Sequence, residues 1–432
     1  MPIREKLNKL IAERILVLDG AMGSMVQAYS ASGVNDLLCL SRPDIIYNIH
    51  KAYLEAGADI IETCSFNAAS ISLREHGPGD QAREISAAAA GLARKAADNL
   101  SAPQKPRFVA GSMGPTDKSL SFTPDLDNPG KRLIGWDEME AAYYENAAGL
   151  IEGGADFLLV ETAFDSLNAK AALYAAKRLS KELGKDIPVM VSATVSKTGH
   201  LLTGQTIEAF GVSMLEHAPL AIGLNCSFGA DLLKGPLERL SSYASCPVIF
   251  YPNAGLPDAR GHYNDTPETM AAAAESCMKA GLVNIIGGCC GSTPAHIAAV
   301  ANKAREHKPR PVPPPADKTF LAGTQVLELD DVDNFIKNQT KEIPWQTALD
   351  QGNYEDAVEI ARDQAGKGLK ILAINTDKSP DPAKTLENFI FMAAAFPDLA
   401  KLPVLIESAS MEVIERGLRC FQGRGLVRYK GP

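Results

Sequence analysis

The chain has 432 residues, of which 46% are hydrophobic, and a formal net charge of −9 at pH 7. This balance, with no basic block, argues against a nucleic-acid surface. No apolar stretch approaches the roughly 20 residues that cross a bilayer, and the charged N-terminus leads into an amphipathic helix rather than a signal peptide. Eight cysteines in so long a chain are not a secreted disulfide framework. We therefore expect a cytoplasmic protein with reduced thiols and no nucleic-acid or membrane partner.

One pattern recurs along the first 300 residues: an alanine-rich helix, a glycine, a short apolar run and then polar residues. Such a sequence is typical of helices that lead into buried parallel strands. The apolar runs lie near 15–18, 58–61, 107–110, 156–160, 188–193, 220–224, 247–251 and 283–286. Eight runs separated by helices predict the α/β fold class, with a (β/α)8 TIM barrel over residues 1–306.

Prolines interrupt this pattern at residues 307–318, where the sequence predicts an extended, semi-rigid linker. A second α/β pattern follows over residues 319–432. Its apolar runs and helices lie near 370–374, 402–406 and 424–428, and at 345–367 and 382–396. Only three or four units are present, so we expect a partial, barrel-like domain with open strand edges.

Three cysteines stand where two of the predicted barrel strands end. Cys226 ends one apolar run, and the adjacent Cys289 and Cys290 follow another in a turn flanked by glycines. Because the chemistry of such barrels lies at the C-terminal ends of the strands, all three thiols should reach the same mouth. Glycine on both sides permits a turn that points neighbouring sulfurs at one ion.

Three thiolates at one mouth predict a zinc site with a fourth position open to a thiol substrate. A thiol bound there would lose its proton because the metal stabilises the thiolate. The site would then suit alkyl transfer to sulfur better than hydrolysis, which needs a strongly polarised water. Two alternatives stay open: Cys289 and Cys290 are buried structural residues, or they form a vicinal disulfide. Cys64 also ends a strand and could compete as a ligand.

Carboxylates and a glycine-rich turn accompany the thiols. Glu62 and Glu161 end two other strands, where they would bind the ammonium group of an amino acid or, alternatively, form salt bridges or helix caps. The turn at 19–23 follows the first strand, and its amides would cradle a carboxylate unless it is a plain turn. We expect His200, His262 and His296 to be loop or surface residues.

Ordered motifs across residues 10–305 resemble the homocysteine S-methyltransferase family. They are Leu18-Asp-Gly-Ala-Met-Gly-Ser-Met25, Glu62-Thr-Cys-Ser-Phe-Asn67, Gly111-Ser-Met-Gly-Pro-Thr116, Glu161-Thr-Ala-Phe-Asp-Ser-Leu-Asn-Ala-Lys170, Gly223-Leu-Asn-Cys226, Pro252-Asn-Ala-Gly-Leu-Pro257 and Gly287-Gly-Cys-Cys-Gly-Ser-Thr-Pro294. Within the family, they are most similar to the homocysteine-binding module of cobalamin-dependent methionine synthases. The resemblance implies a catalytic zinc bound by Cys226, Cys289 and Cys290. It also implies that homocysteine contacts Asp19, Gly20, Ala21, Met22 and Glu161.

Residues 319–432 resemble the beginning of the methyltetrahydrofolate-binding barrel of the same synthases. The likeness lies in two helical segments, at 352–362 and 413–425. The segments expected to bind the pterin, at 323–328, 375–379 and 407–409, do not match that family's motifs. We therefore interpret this part as a partial, degenerate pterin-binding-like domain.

These observations predict zinc-dependent transfer of a methyl group to the thiolate of homocysteine, which gives methionine. Because the sequence contains no cobalamin-binding module, the predicted donor is methylcobalamin on a separate corrinoid protein. One alternative is a homocysteine methyltransferase that uses a small sulfonium or betaine donor. Another is a non-catalytic zinc-binding scaffold on which a partner docks.

Overall fold

The computed structural model describes residues 1–29, 34–125, 127–339 and 343–431. Eight parallel strands form its main sheet, in the order β1-β8-β7-β6-β5-β4-β3-β2. They are β1 Leu16–Val17, β2 Ile60–Glu62, β3 Phe108–Met113, β4 Phe157–Ala163, β5 Val189–Ala193, β6 Ala221–Asn225, β7 Val248–Tyr251 and β8 Ile285–Ile286. A parallel bridge between Leu18 and Ile60 joins β1 to β2, so the sheet closes on itself. The predicted (β/α)8 barrel is confirmed.

The strands read as continuous apolar runs because both of their faces are buried. Alternate residues, such as Leu16 and Leu18 in the first run and Phe157 and Leu159 in the fourth, pack together inside the barrel. The residues between them, such as Leu158, pack against the surrounding helices. This period of two places one set of side chains in each layer of the core.

Twelve helices accompany the barrel strands among the described residues. They are α1 Ile3–Glu13, α2 Met22–Ala28, α3 Leu38–Ser41, α4 Pro43–Ala56, α5 Ser70–His76, α6 Ala82–Leu100, α7 Trp136–Glu152, α8 Ser166–Leu183, α9 Ile207–Leu215, α10 Ala230–Tyr243, α11 Pro267–Lys279 and α12 Pro294–Ala304. In the parts of the chain that the structure describes, no helix combines the length and apolarity that a membrane span requires.

The proline-rich segment at 307–318 contains no helix or strand. Its Arg310 is buried beneath the barrel, where the guanidinium donates to Ser241 Oγ at 2.7 Å and to the Ala244 carbonyl at 2.6 Å. These contacts lie at the C-terminal end of α10, whose last carbonyls need donors. The first part of the predicted linker is therefore anchored to the barrel.

The second α/β unit contains an antiparallel hairpin and a parallel sheet of three strands in the order β11-β12-β13. Its elements are β9 Thr319–Ala322, β10 Val326–Leu329, α13 Val332–Gln339, α14 Gln346–Asp350, α15 Tyr354–Gly366, β11 Leu372–Asn375, α16 Pro382–Ala393, α17 Pro397–Ala400, β12 Val404–Ser408, α18 Met411–Leu418 and β13 Leu426–Tyr429. The three predicted apolar runs all become parallel strands. The domain boundaries themselves stay a prediction, and Pro432 lies outside the described residues.

The predicted bounds of both helices in this unit were wrong in detail. The helix predicted at 345–367 is broken at Gly352, which has φ 73°, and Asn353 caps the helix that follows. The helix predicted at 382–396 ends at Ala393. The segment beginning at Gly323 forms the turn of the hairpin β9–β10. Turns of this kind depend on local capping, which the hydrophobic period does not report.

The second unit docks directly against the barrel helices. The buried ammonium of Lys170, on α8, donates to the Phe421 carbonyl at 3.3 Å and pairs with Glu216 at 3.3 Å. Gln205 donates from its side chain to the Gly323 carbonyl at 2.9 Å. Buried polar contacts of this kind set the position of one unit against the other.

Candidate metal and substrate site

Three cysteine sulfurs converge at the C-terminal mouth of the barrel. Cys226 follows β6 in a left-handed conformation, with φ 60°. Cys289 and Cys290 follow β8 in a turn that passes through Gly291, where φ is 80°. A Cβ at this glycine would overlap the ring of Tyr263, so the turn requires glycine. The three sulfurs all lie within 4.8 Å of one another, and those of Cys226 and Cys290 are 3.8 Å apart.

This spacing fits a single tetrahedral zinc ion. With Zn–S bonds of about 2.3 Å, two sulfurs at tetrahedral angles lie about 3.8 Å apart. All three side chains are free thiols and only half-buried, so the vicinal disulfide considered from the sequence is absent from this arrangement. The donor set also fits, because soft thiolates select zinc over hard cations such as magnesium.

An unpaired oxygen lies close to the same strands. Asn253 follows β7, which stands between β6 and β8 in the barrel. Its Oδ1 is buried and has no hydrogen-bond partner among the described residues. An orphaned buried oxygen is costly unless something binds it, which is consistent with a site that holds a cation.

The three thiols shift one another's pKa values. Hydrogen bonds from Cys226 and Cys289 hold the pKa of Cys290 well below its usual range, while contacts with Cys226 and Cys290 raise the pKa of Cys289. The three thiols therefore do not lose their protons with equal ease. Zinc would displace the protons of the thiols that bind it.

Four carboxylates line the same cavity as the thiols, and three of them follow or end barrel strands: Asp19, Glu62 and Glu161. Both oxygens of Asp19 accept from the Glu62 amide at 3.1 Å, and the Ser112 hydroxyl donates to Glu161. Glu62 Oε1 is buried and finds no partner in the described ranges. Neither Glu62 nor Glu161 forms a salt bridge or a helix cap with any described residue. This differs from the salt-bridge or helix-cap alternative considered from the sequence.

Burial shifts the titration of all three acids. Desolvation raises the pKa of Glu161 to about 7, and it raises the pKa values of Asp19 and Glu62 well above their usual range. The negative charge of Glu161 adds to the shift at the other two. A cation such as an ammonium group would relieve this concentration of buried charge.

The glycine-rich turn lies beside these acids. Gly20, Ala21 and Met22 all line the cavity, and α2 begins at Met22. The Ala21 amide donates to Ser292 Oγ at 3.1 Å, which leaves the amides of Gly20 and Met22 as candidate donors to a carboxylate. The cavity holds about 210 Å³. Sites for drug-sized ligands hold roughly 300–1,000 Å³, so this smaller cavity matches the size of an amino acid.

Other residues singled out from the sequence lie elsewhere. Cys64 lines the cavity, but its thiol points to the Asn35 carbonyl at 3.6 Å and is outside the group of three sulfurs. His200 and His262 are exposed, as expected. The expectation for His296 was wrong: it is buried in α12, where it completes a capping box with Thr293. A capping box usually has glutamate or glutamine at this position, so a histidine there gives no strong sequence signal.

Sequence reasoning gave no role to several polar side chains that support the site. Ser192 and Tyr251 are fully buried inside otherwise apolar strands and hydrogen-bond to each other. Tyr53 donates to the carbonyls of Ala21 and Ser292 at 3.1 Å. A polar residue inside a buried apolar strand was the available signal, since such groups need a partner.

The family model described as homocysteine S-methyltransferase matches residues 16–304. The chain belongs to the homocysteine S-methyltransferase family. The match spans the whole barrel and all three thiols. Family membership supports a methyltransferase activity with homocysteine as the acceptor.

Solved structures of the homocysteine methyltransferase MmuM from Escherichia coli share the fold. The metallated form is 24% identical, with 70% of this chain and 100% of that chain covered and a TM-score of 0.54. The apo form is 25% identical over 70% of this chain and 100% of that chain, with a TM-score of 0.53.

Proposed function

We propose that this protein catalyses the zinc-dependent transfer of a methyl group to homocysteine, giving methionine, and that the donor is methylcobalamin on a separate corrinoid protein. The observation that carries the proposal is the group of three sulfurs within 4.8 Å of one another, beside buried carboxylates. A reducing compartment such as the cytoplasm belongs to this proposal, because the site needs three reduced thiols.

Zinc bound to Cys226, Cys289 and Cys290 would hold the substrate sulfur as a thiolate at neutral pH. Glu161, oriented by the Ser112 hydroxyl, binds the ammonium group of homocysteine together with Asp19. The amides at the start of α2 donate to its carboxylate. These contacts aim the sulfur at the open mouth of the barrel. The sulfur attacks the methyl carbon, a carbon–sulfur bond forms, and the electron pair of the broken bond stays with the donor.

Exposed apolar side chains on loops after the barrel strands support a donor that is carried on a partner protein. Loops that follow the barrel strands carry large apolar side chains that are 37–71% exposed: Tyr29, Phe66, Phe122, Leu202 and Leu256. Apolar side chains around a site are typical of an interaction surface.

The test uses the purified chain loaded with zinc and supplied with homocysteine and free methylcobalamin. We expect methionine, detected by mass spectrometry, and no methionine from Cys290→Ser. The matched control is Cys277→Ser, which removes a buried thiol on α11 outside the group of three and should retain activity.

Other outcomes would select the rival functions. Methionine formed from trimethylsulfonium or glycine betaine, with none from methylcobalamin, would show that the donor is wrong while the acceptor is right. No product from any donor, in a sample with one zinc per chain, would favour the docking scaffold. Truncation at about residue 312 then asks whether the second unit is needed for activity with a corrinoid protein.

A further inference from the structure

The side chain of Asn225, at the end of β6, connects the three thiols to the turn at Thr162, which directly follows Glu161. It is 1% exposed. Its Oδ1 accepts from the Thr162 amide at 2.9 Å and from Ser192 Oγ at 2.7 Å. Its Nδ2 donates to Thr162 Oγ1 at 2.7 Å and lies 4.0 Å from the sulfur of Cys289. The amide of Asn225 therefore links β4 and β5 to a thiol.

The orientation of this amide follows from its partners. A backbone N–H can only donate, so the group facing the Thr162 amide must be the carbonyl oxygen. The NH₂ group consequently faces Thr162 Oγ1 and the sulfur of Cys289. Ser192 must donate to Asn225, which leaves Tyr251 as the donor to Ser192. Each hydrogen bond from Tyr251 through Ser192 to Asn225 therefore has an assigned donor and acceptor.

The two turns that Asn225 joins are both in an unusual conformation. Thr162 has φ 54° and Cys226 has φ 60°, a left-handed region that is rare for residues other than glycine and especially for a β-branched threonine. Such a conformation persists only where surrounding contacts hold it. Asn225 binds both the amide and the hydroxyl of Thr162, and it directly precedes Cys226 in the chain.

We propose that Asn225 is a positioning residue that sets Glu161 and the thiol group at a fixed separation and directs an N–H toward Cys289. A donor facing a thiolate stabilises its negative charge and fixes its orientation toward a metal. The proposal rests on the proposed zinc function, because it assigns Asn225 a role toward that ion.

The test compares zinc affinity in Asn225→Asp with that of the wild type. In this nearly isosteric variant, one carboxylate oxygen keeps the bonds from Thr162 and Ser192, while the other presents negative charge to the sulfur of Cys289. Replacing a group that supports metal ligands weakens metal binding by about 10- to 100-fold. We expect a loss in this range, measured by competition with a chromophoric zinc chelator.

The matched control is Asn284→Asp. Asn284 is also 1% exposed, accepts from the Val248 amide at 2.9 Å and donates to the Arg310 carbonyl at 2.8 Å, but it lies at the opposite end of the barrel. It should lose stability without losing zinc affinity. A second readout, the sulfur-to-cobalt absorption of the Co²⁺-loaded protein, should shift in Asn225→Asp and stay unchanged in the control.

If Asn225→Asp binds zinc within twofold of wild type and its cobalt spectrum is unshifted, the role assigned to Asn225 is wrong. The proposed function would not be affected by that result. If Asn225→Asp does not fold, Ser192→Ala decides, since it removes one donor to the Asn225 oxygen. A loss of zinc affinity of threefold or more supports the proposal, and an unchanged affinity overturns it. A wild-type protein that binds no zinc would refute the proposed function and this inference together.

Discussion

Replacing Glu161 by glutamine tests the proposed ammonium site with little change of shape. Glu161 is 5% exposed and accepts from the Ser112 hydroxyl. A glutamine oxygen can keep that hydrogen bond, while its NH₂ group replaces a charged acceptor with a donor. The substitution therefore removes the attraction for an ammonium group and leaves the cavity intact.

The expected magnitude follows from the charge that this residue carries. Burial raises the pKa of Glu161 to about 7 and raises the pKa values of Asp19 and Glu62 well above their usual range. At pH 8, a Glu161 carboxyl group with a pKa of about 7 is mostly ionised. A hydrogen bond to a charged group contributes about 1.5–3 kcal/mol, and about 1.4 kcal/mol is a factor of ten. We expect homocysteine to bind about 10- to 150-fold more weakly.

Titration calorimetry of the zinc-loaded protein with homocysteine at pH 8 measures this change. Glu140→Gln is the matched control, because Glu140 is also buried but pairs with Arg178 on the outside of the barrel. The control should bind homocysteine as the wild type does. A dissociation constant for Glu161→Gln within twofold of wild type would refute the assignment of this carboxylate to the ammonium group.

Two further predictions concern the scaffold. Burial lowers the pKa of His50 from 6.5 to about 3, so its contribution to stability is complete above pH 6.5 and is lost as the pH falls toward 3. Between pH 7 and 4.5 the wild type should lose about 2–3 kcal/mol that His50→Met does not lose, measured by urea unfolding; parallel pH profiles would contradict this. Lys170→Met removes the buried ammonium that binds the Phe421 carbonyl, which leaves acceptors unpaired at a cost of about 1–3 kcal/mol. Trypsin should then cut between the two units faster than in wild type, and an unchanged rate would show that this contact does not hold them together.

Local sequence patterns predicted which thiols and acids lie at the mouth of the barrel. Cys226 and Cys289 each follow a short apolar run, and parallel strands in a barrel end at one rim, so their meeting follows from topology. The structure brings their sulfurs together, although zinc binding itself stays a prediction. The carboxylates were found in the same way, because Glu62 and Glu161 also end strands.

Local sequence patterns did not predict the hydrogen bonds and packing that support those residues. Asn225 was visible as a strand end, but its partners Thr162 and Ser192 are 63 and 33 residues away in the chain. The burial of His50 and His296 likewise depends on which helices pack beside them. A hydrophobic period reports which face of an element is buried, not which distant side chain it meets.

The amino-acid sequence by itself determined the eight-stranded barrel, its family and the positions from which thiols and acids project. These depend on hydrophobic period and on short motifs, which are local properties. Only the tertiary structure decided the sulfur separations, the direction of the Asn225 amide and the docking of the second unit. Each of these is set by contacts between residues far apart in the chain, whose geometry depends on packing throughout the core.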